Sequence, residues 1–437
     1  MASADATQTA NGGALLVRWQ GLMAPDQAVL KRLESLAGLL LLVLLTGLPL
    51  FTRTGLALVI AACGALWLLW CLCSPPQRIG SISLWLMLFL AIAIVATGFS
   101  PVPIAASKGL IKLLSYLGVY ALLCKLLLSN GQWWDRLVGG MLSGGLLSSV
   151  LALRQLYASS EELAGWADPN SISAGTIRIY GPLGNPNLLA GYLLPLIPFA
   201  AIALVRWRGV GAQLFAGTTL VLTGTATLFT YSRGGWLGMV AAIAVVLLLL
   251  LLRWTRHWPL FWRRLVPLAL LLAGAACLGV AATQVDPVRT RITSLLAGRG
   301  DSSNNFRINV WMAAIQMVQD RPWLGIGPGN AAFNSIYPLY QQPKFNALSA
   351  YSVPLEILVE TGIPGLLACL GLLASSLRQG LQPLNANGSS ALASIASLAA
   401  IAGLLMQGST DTIFFRPEVQ LIGWFALASL VSQPRKS

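Results

Sequence analysis

A single arginine lies between two long apolar runs, in the segment Phe229-Thr-Tyr-Ser-Arg-Gly-Gly-Trp-Leu237. A guanidinium group beside a membrane costs a few kcal/mol unless it has a partner or reaches the aqueous boundary. Gly234 and Gly235 follow directly, and their missing side chains let another group approach closely. Arg233 is therefore a candidate ligand for an anion. The alternative is an arginine that only extends its side chain to the membrane boundary.

Further arginines lie in a long polar connection, residues 284–350. Guanidinium groups can hold a diphosphate or a carboxylate through paired hydrogen bonds. Arg307 is the strongest candidate, because it precedes Trp311 on a helix predicted over Arg307–Gln319 and can point toward the membrane interface. Arg321 is a second candidate in this connection. Most of the other arginines there are expected to be solvated or weakly paired.

Two glutamates begin the apolar run that follows this connection. Glu356 and Glu360 are four residues apart, so both lie on one face of a helix. A carboxylate at membrane depth is costly, which indicates either a binding role or a pairing with one of the arginines. Pro354 is tolerated in a first helical turn, where unpaired backbone amides favour an anion.

The segment Tyr180–Tyr192 breaks regular structure before another apolar run. Asn185 and Asn187 are suited to cap the helix that begins there. Alternatively, they contact a bound head group.

The amino-acid composition predicts the kind of secondary structure that holds these candidate residues. Of the 437 residues, 56% are hydrophobic and 10% are charged, which excludes a soluble enzyme and a disordered chain. Only six residues are cysteines, which excludes a disulfide scaffold. The apolar runs lack the alternation of an outer-membrane barrel strand. The prediction is an all-α polytopic membrane protein. The net charge of +14 comes from basic residues between apolar runs, which indicates membrane orientation and no nucleic-acid partner.

The apolar runs predict about twelve transmembrane helices of about 20 residues each. Their centres lie near Leu44, Ala62, Leu90, Leu117, Leu146, Leu196, Val221, Ala244, Ala273, Leu367, Ser397 and Phe425. Lys and Arg favour the cytoplasmic side of a membrane. Their distribution predicts cytoplasmic N- and C-termini in a plasma (inner) membrane protein.

Four regions follow from these spans. Residues 1–35 form a cytoplasmic N-terminal segment with an amphipathic helix from Ala14 to Ser35 on the membrane surface. Residues 36–283 hold spans 1–9, residues 284–350 form a large periplasmic loop, and residues 351–437 hold spans 10–12.

Motifs for cofactor chemistry are missing from the sequence. There is no phosphate-binding loop, no pair of aspartates typical of metal-bound nucleotide sugars, and no serine–histidine arrangement. His257 is the single histidine, so a histidine-based zinc site has no second ligand of this type. No cofactor and no metal are predicted.

Four motifs in order carry a resemblance to a known family. They are Tyr231-Ser-Arg-Gly-Gly-Trp236, Arg307-x-x-x-Trp311, Pro322-Trp-Leu-Gly-Ile-Gly-Pro-Gly329 and Leu355-Glu-Ile-Leu-Val-Glu-Thr-Gly-Ile-Pro-Gly365. Together they resemble the O-antigen ligase and polymerase superfamily (WaaL- and Wzy-type proteins), over a region from about Tyr180 to Gly365. Residues 184–192 and 327–340 look closest to the cyanobacterial IctB group, which is labelled as a bicarbonate transporter.

The resemblance implies a metal-independent glycosyl transfer on the periplasmic side of the membrane. A polyprenyl-diphosphate-linked glycan is the donor, and the hydroxyl of an acceptor sugar receives the glycan. Arg233 and Arg307 take the role of neutralising the diphosphate leaving group, with Arg321, Asn187, Glu356 and Glu360 as further substrate-binding candidates. Tyr351 falls where the family has a histidine base, and a tyrosine with an ordinary pKa near 10 is a poor base at neutral pH.

Three functions therefore remain open. The first is the glycan transferase, and the second is a bicarbonate transporter. The third, which follows from Tyr351, is an inactive relative that still binds the glycan lipid. A transporter is expected to show paired repeats and broken helices with polar groups at the membrane midplane. The sequence has no clear internal repeat and almost no charge at mid-span.

Overall fold

The computed structural model of the chain describes residues 27–74, 79–157, 178–262, 298–385 and 388–432, with scattered positions between 263 and 297. Within these ranges the regular elements are helices joined by turns. The prediction of an all-α fold is confirmed for this part of the chain.

The helices are numbered in chain order. They are α1 (Gln27–Gly47), α2 (Arg53–Leu72), α3 (Ser81–Gly98), α4 (Pro103–Ser129), α5 (Trp133–Arg154), α6 (Pro186–Leu193), α7 (Leu196–Arg206), α8 (Val210–Phe229), α9 (Arg233–Trp254), α10 (Ser302–Asp320), α11 (Asn330–Ile336), α12 (Val353–Leu381), α13 (Ser389–Gly408) and α14 (Pro417–Val431).

Nine helical segments among the described residues are long and apolar enough to cross a membrane. They are α2, α3, α4, α5, α6 with α7, α8, α9, α12 and α13, and each coincides with a predicted span. The α1 helix carries three charged residues and α14 has only 15 residues, so neither is among the nine. The span near Ala273 lies outside the described residues. The chain is thus a multi-pass membrane protein, while the count of twelve and the side of the termini stay predictions.

Two predicted boundaries can be compared with the helices. The α1 helix begins at Gln27 and runs through position 35 without interruption, so no break separates residues 27–35 from the first apolar run. The amphipathic helix predicted from Ala14 falls mostly on residues 1–26, which are outside the described part. In the connection 284–350, the helix predicted over Arg307–Gln319 lies within α10.

The helices α9 and α13 pack closely against each other, which brings the start of α9 next to the end of α13. A Cβ atom on Gly238 of α9 would lie 2.7 Å from the carbonyl oxygen of Gly403 on α13, so the two backbones nearly touch. Small residues permit such close approach between membrane helices. At the start of α9, a Cβ atom on Gly234 would lie 3.0 Å from Oγ1 of Thr410. The first turn of α9 therefore lies beside the turn that follows α13.

The α12 helix is broken at Gly362, where φ is 67°. A residue with positive φ interrupts the hydrogen bonds within the helix. Here the backbone of the segment 322–327 forms hydrogen bonds with the helix groups left unpaired. The carbonyl oxygens of Val359 and Glu360 accept from the amides of Ile326 and Gly327 at 2.9 Å each. The amide of Ile363 donates to the carbonyl oxygen of Pro322 at 2.8 Å. The break thus anchors the segment after α10 to α12.

Candidate functional site

Arg233 is the first residue of α9 and forms a buried ion pair. Its guanidinium donates to Oδ1 of Asp301 and to Oδ1 of Asn304, each at 2.8 Å. The side chain of Arg233 is 9% exposed and that of Asp301 is fully buried. Asp301 also caps α10, since its Oδ1 accepts from the amide of Asn304 at 3.1 Å. Arg233 therefore joins the start of α9 to the start of α10.

Arg307 lies one turn after Asn304 on α10. It is close enough to Arg233 for the two positive charges to repel each other. Its Nε donates to the carbonyl oxygen of Thr410 at 3.1 Å. Its two terminal nitrogens make no hydrogen bond within the described part of the chain. Burial lowers the pKa of the Arg307 guanidinium, and the carboxylate of Asp411 opposes this shift. An arginine remains charged at neutral pH regardless, so Arg307 presents two charged donors to a ligand.

Asp411 is a buried carboxylate in the turn between α13 and α14. Its Oδ1 accepts from the amide of Thr412 at 2.8 Å and its Oδ2 from the side chain of Asn187 at 3.2 Å. Burial raises the pKa of Asp411 above its ordinary value, and the charges of Arg307 and Arg178 act in the opposite direction. Asp411 is therefore an acid group that holds its proton more tightly than a solvated aspartate.

Asn187 links this aspartate to a further arginine. Its Oδ1 accepts from Nη2 of Arg178 at 2.6 Å, and Nε of Arg178 donates to the carbonyl oxygen of Thr230 at 2.9 Å. The two asparagines of this segment differ in role. Asn185 caps α6 through the amides of Asn187 and Leu188, whereas the side chain of Asn187 belongs to the polar cluster.

Tyr351 lies at the same cluster in an unusual backbone conformation. Its φ is 50°, which few residues other than glycine adopt. Its ring packs edge-on against Phe306, the neighbour of Arg307, with 5.5 Å between ring centroids. Burial raises the pKa of the phenol, Asp411 adds to the rise, and Arg307 opposes it. Tyr351 is thus a weaker acid than free tyrosine, and at neutral pH it carries its proton.

The two glutamates of α12 bind backbone amides. Glu356 accepts from the amide of Ala350 at 2.5 Å, and Glu360 accepts from the amide of Gly329 at 2.7 Å. Both are buried. Neither forms an ion pair with an arginine among the described residues, so the pairing considered from the sequence is not seen. Glu356 fixes the backbone next to Tyr351, while Glu360 holds the segment before α11.

The structure therefore brings some of the candidate residues together and leaves others apart. Arg233, Arg307, Asn187 and Tyr351 meet at one cluster, which we call the arginine cluster and which also contains Arg178, Asp301 and Asp411. Arg321 is exposed, and its Nη1 lies 3.4 Å from the carbonyl oxygen of Phe99. In the described residues, no three His, Cys, Asp or Glu side chains come together as a metal site requires.

Three members of the arginine cluster, Arg178, Asp301 and Asp411, were not among the candidates predicted from the sequence. Asp301 lies among other charged residues of the connection 284–350, so nothing in the sequence separates it from them. Asp411 is the only acidic residue between the apolar runs of α13 and α14. A charged group beside the membrane is costly, so Asp411 could have been singled out on the same ground as Arg233. Arg178 had no such signal, because it follows a long polar segment in which one arginine is unremarkable.

Comparison with protein families gives one match. Residues 218–370 match the family described as O-antigen ligase. The matched segment contains Arg233, Arg307 and Tyr351, while Asn187 and Asp411 lie outside it. A comparison with curated proteins returned no significant match. The family match confirms the resemblance at the level of the O-antigen ligase superfamily, and it does not extend to the IctB group.

Proposed function

We propose that this protein is a membrane glycan transferase that takes its glycan from a polyprenyl-diphosphate carrier. The observation that carries the proposal is the arrangement at Arg307. Two charged donors without protein partners in the described residues lie beside a second arginine and a buried carboxylate. Paired donors of this kind suit a diphosphate oxygen. The family match independently supports a lipid-linked glycan as the class of substrate.

In the proposed reaction, the acceptor hydroxyl oxygen forms a bond to the anomeric carbon of the donor glycan. The bond from that carbon to the diphosphate oxygen breaks, and its electron pair stays on the diphosphate. Arg307 binds this leaving group directly, and Arg233 adds positive charge from its pair with Asp301. Stabilising the charge that develops on a leaving group is often the largest contribution to catalysis.

The proton of the acceptor hydroxyl needs a receiving group, and we assign this role to Asp411. A carboxylate with a raised pKa is a better base than an ordinary aspartate, because proton affinity and basicity rise together. Tyr351, whose pKa is raised above that of free tyrosine, keeps its proton and donates a hydrogen bond to the substrate. Asn187 orients Asp411 through its side-chain amide.

We place the arginine cluster on the periplasmic face of the plasma (inner) membrane, in the region formed by the loop 284–350 and the adjoining spans. Glu356 and Glu360 position backbone around the substrate, whereas Arg321, which is exposed and lies apart from the cluster, takes no part in the proposed reaction. No metal or other cofactor takes part in the proposed mechanism.

A bicarbonate transporter is the second candidate, and the break of α12 at Gly362 favours it. Transporters often bind ions at broken helices. Here, however, the carbonyl oxygens of Val359 and Glu360 at the break already accept hydrogen bonds from Ile326 and Gly327. The third candidate, an inactive relative that binds the glycan lipid, differs from the first only in the outcome of the transfer step.

One experiment distinguishes these functions. Proteoliposomes are loaded with a polyprenyl-diphosphate oligosaccharide, and glycan transfer is measured beside uptake of labelled bicarbonate. The variants are Arg307→Gln and the control Arg321→Gln, which changes an exposed arginine away from the cluster. The proposal expects transfer by the wild type and by Arg321→Gln, loss of transfer in Arg307→Gln, and no uptake. Uptake without transfer establishes the transporter, and binding without either activity establishes the inactive relative.

A further inference from the structure

An apolar cavity of about 260 Å³ lies beside the first turns of α12. Residues of α3, α4, α12, α13 and α14 form its wall, together with residues 328–330. Leucine and aromatic side chains dominate the lining, and the charged residues that line it are Lys112 and Glu360. None of the residues of the arginine cluster lines this cavity. The cavity is thus a separate feature with an apolar body and two charged groups.

Lys112 lies in the third turn of α4, about 14 Å along the helix from its start at 1.5 Å per residue. Its Nζ donates to the carbonyl oxygen of Phe415 at 2.7 Å and lies 5.6 Å from the centre of the Tyr116 ring. An ammonium group has three N–H donors, and the described residues provide no other hydrogen bond to this one. Lys112 therefore retains donor capacity inside a membrane-spanning helix, where a lone charge is costly.

The charges that act on Lys112 come from three side chains on α12 and around the start of α14. They are Glu360, Glu418 and Arg416. None of them forms an ion pair with Lys112 within 4.0 Å in the described part of the chain. The negative charges of Glu360 and Glu418 balance the positive charges of Lys112 and Arg416. Among the described residues, the carbonyl oxygen of Phe415 is thus the one hydrogen-bond partner of the Lys112 ammonium group.

Two further buried atoms next to this region have no hydrogen-bond partner in the part of the chain that the structure describes. One is Nε1 of Trp424, a residue that lines the cavity, and the other is Oε2 of Glu418. Buried polar atoms are nearly always paired, so each unpaired atom requires an explanation. An indole N–H needs an acceptor, and Lys112 also has room for one. The two donors, Nζ of Lys112 and Nε1 of Trp424, point to a ligand that brings acceptor oxygens to an otherwise apolar cavity. Oε2 of Glu418 is an acceptor and requires a donor instead.

We propose that this cavity binds a phospholipid, with one acyl chain among the apolar side chains and its phosphate on Lys112. An acyl chain gains free energy from contact with the apolar wall, and phospholipids surround the membrane-spanning helices that form this wall. A phosphate accepts strong, charge-assisted hydrogen bonds from an ammonium group. This inference rests on Lys112 and Trp424, which have no role in the proposed transfer, and it shares only Glu360 with the region assigned to the substrate.

The competing explanation is that Lys112 only ties α4 to the turn before α14 through Phe415. In that case, removal of the ammonium group lowers stability and leaves lipid binding unchanged. The two explanations therefore require a measurement of bound lipid in addition to one of stability.

The test is native mass spectrometry of the full-length protein purified in mild detergent, with phosphatidylethanolamine added back after delipidation. The variant Lys112→Met keeps an unbranched side chain and removes the charge. The control Lys125→Met changes a lysine at the other end of α4, whose Nζ lies 2.5 Å from Oγ of Ser74. We expect one retained phospholipid in the wild type and in Lys125→Met. The loss of a charge-assisted hydrogen bond weakens binding roughly tenfold in Lys112→Met.

A second variant keeps the experiment decisive if Lys112→Met does not fold. Leu373→Trp leaves the lysine in place and fills part of the cavity, so it is also expected to lose the phospholipid. A wild type that retains no phospholipid overturns the proposal, as does equal retention by Lys112→Met or Leu373→Trp. Displacement of the phospholipid by added polyprenyl diphosphate also overturns it and assigns the cavity to the tail of the donor.

Discussion

Arg233 and Asp301 form a buried ion pair at 2.8 Å that connects the first turn of α9 to the first turn of α10, across 68 positions of the chain. The same carboxylate caps α10 through the amide of Asn304. Because Arg307 lies on α10, its position relative to the membrane helices depends on this pair. Arg233 therefore acts at the proposed site in two ways, as a source of positive charge and as the anchor of the helix that carries Arg307.

Replacing Asp301 by asparagine is expected to destabilise the protein strongly. The change removes the carboxylate that pairs with the buried guanidinium of Arg233, and breaking a buried ion pair typically costs about 3–5 kcal/mol. Unfolding in detergent, followed by circular dichroism, measures the effect. The control Asp320→Asn alters an exposed aspartate that accepts from Tyr340 at 2.6 Å, and is expected to change stability by about 0.5 kcal/mol or less. Equal stability of the two variants contradicts the structural role of the pair.

Asp411 and Tyr351 are expected to differ in their effect on transfer. General base catalysis contributes about 10²–10⁴-fold, so Asp411→Asn loses at least about a hundredfold in transfer rate. Tyr351→Phe removes one neutral hydrogen bond, for which a decrease of about tenfold or less is expected. Initial rates with saturating donor lipid measure both. The reverse order, with Tyr351→Phe the more damaging change, assigns the proton transfer to the tyrosine.

The pH dependence of stability follows from the raised pKa of Asp411. In the folded protein this carboxyl group holds its proton above its ordinary pKa of 3.8, because burial disfavours the charge. Between the unfolded and the folded pKa, the folded state binds more protons than the unfolded state. The contribution of Asp411 to the free energy of unfolding therefore decreases as pH rises through this window.

The measurement is a series of unfolding curves from acidic to neutral pH for the wild type and for Asp411→Asn. The variant is expected to show a flatter dependence over this range, since asparagine does not titrate. If the two curves are parallel, Asp411 has no raised pKa in the folded protein.

Gly362→Ala is expected to destabilise the protein by at least about 2 kcal/mol. The left-handed conformation alone costs a residue with a side chain about 1–2 kcal/mol, and here a Cβ atom would also collide with the carbonyl group of Trp323. Gly224→Ala is the matched control, because Gly224 lies in the membrane helix α8 with no atom within 4 Å of its Cβ position. Thermal unfolding compares the two. A similar small effect of both changes contradicts the anchoring of residues 322–327 at the break.

The fold was largely predictable from the sequence, because membrane helices are set by local composition. Nine spans and the helix that carries Arg307 follow from apolar runs and their periodicity. Two predicted spans that stay uncertain, α1 and α14, are less clearly apolar or shorter than the others. Charged residues interrupt the first half of α1, and α14 is short for a bilayer.

For the candidate site, the sequence singled out a residue only where its charge was unusual among its neighbours in the chain. Arg233 and Arg307 met that condition, and they lie in one cluster. The partners of these arginines depend on contacts between residues far apart in the chain, such as Asn187 with Asp411, which are separated by 224 positions. No local pattern encodes such a contact. For the same reason, the sequence could not separate Arg321 from the residues that the fold brings together.

The proposed function requires that the guanidinium of Arg307 bind the diphosphate of the donor lipid. Binding of farnesyl diphosphate to purified protein, measured by isothermal titration calorimetry, tests it most directly for the wild type, Arg307→Gln and Arg321→Gln. Loss of charge-assisted hydrogen bonds predicts binding about 10–100-fold weaker in Arg307→Gln, with Arg321→Gln close to the wild type. Equal affinity of the wild type and Arg307→Gln, with both variants folded, contradicts the claim.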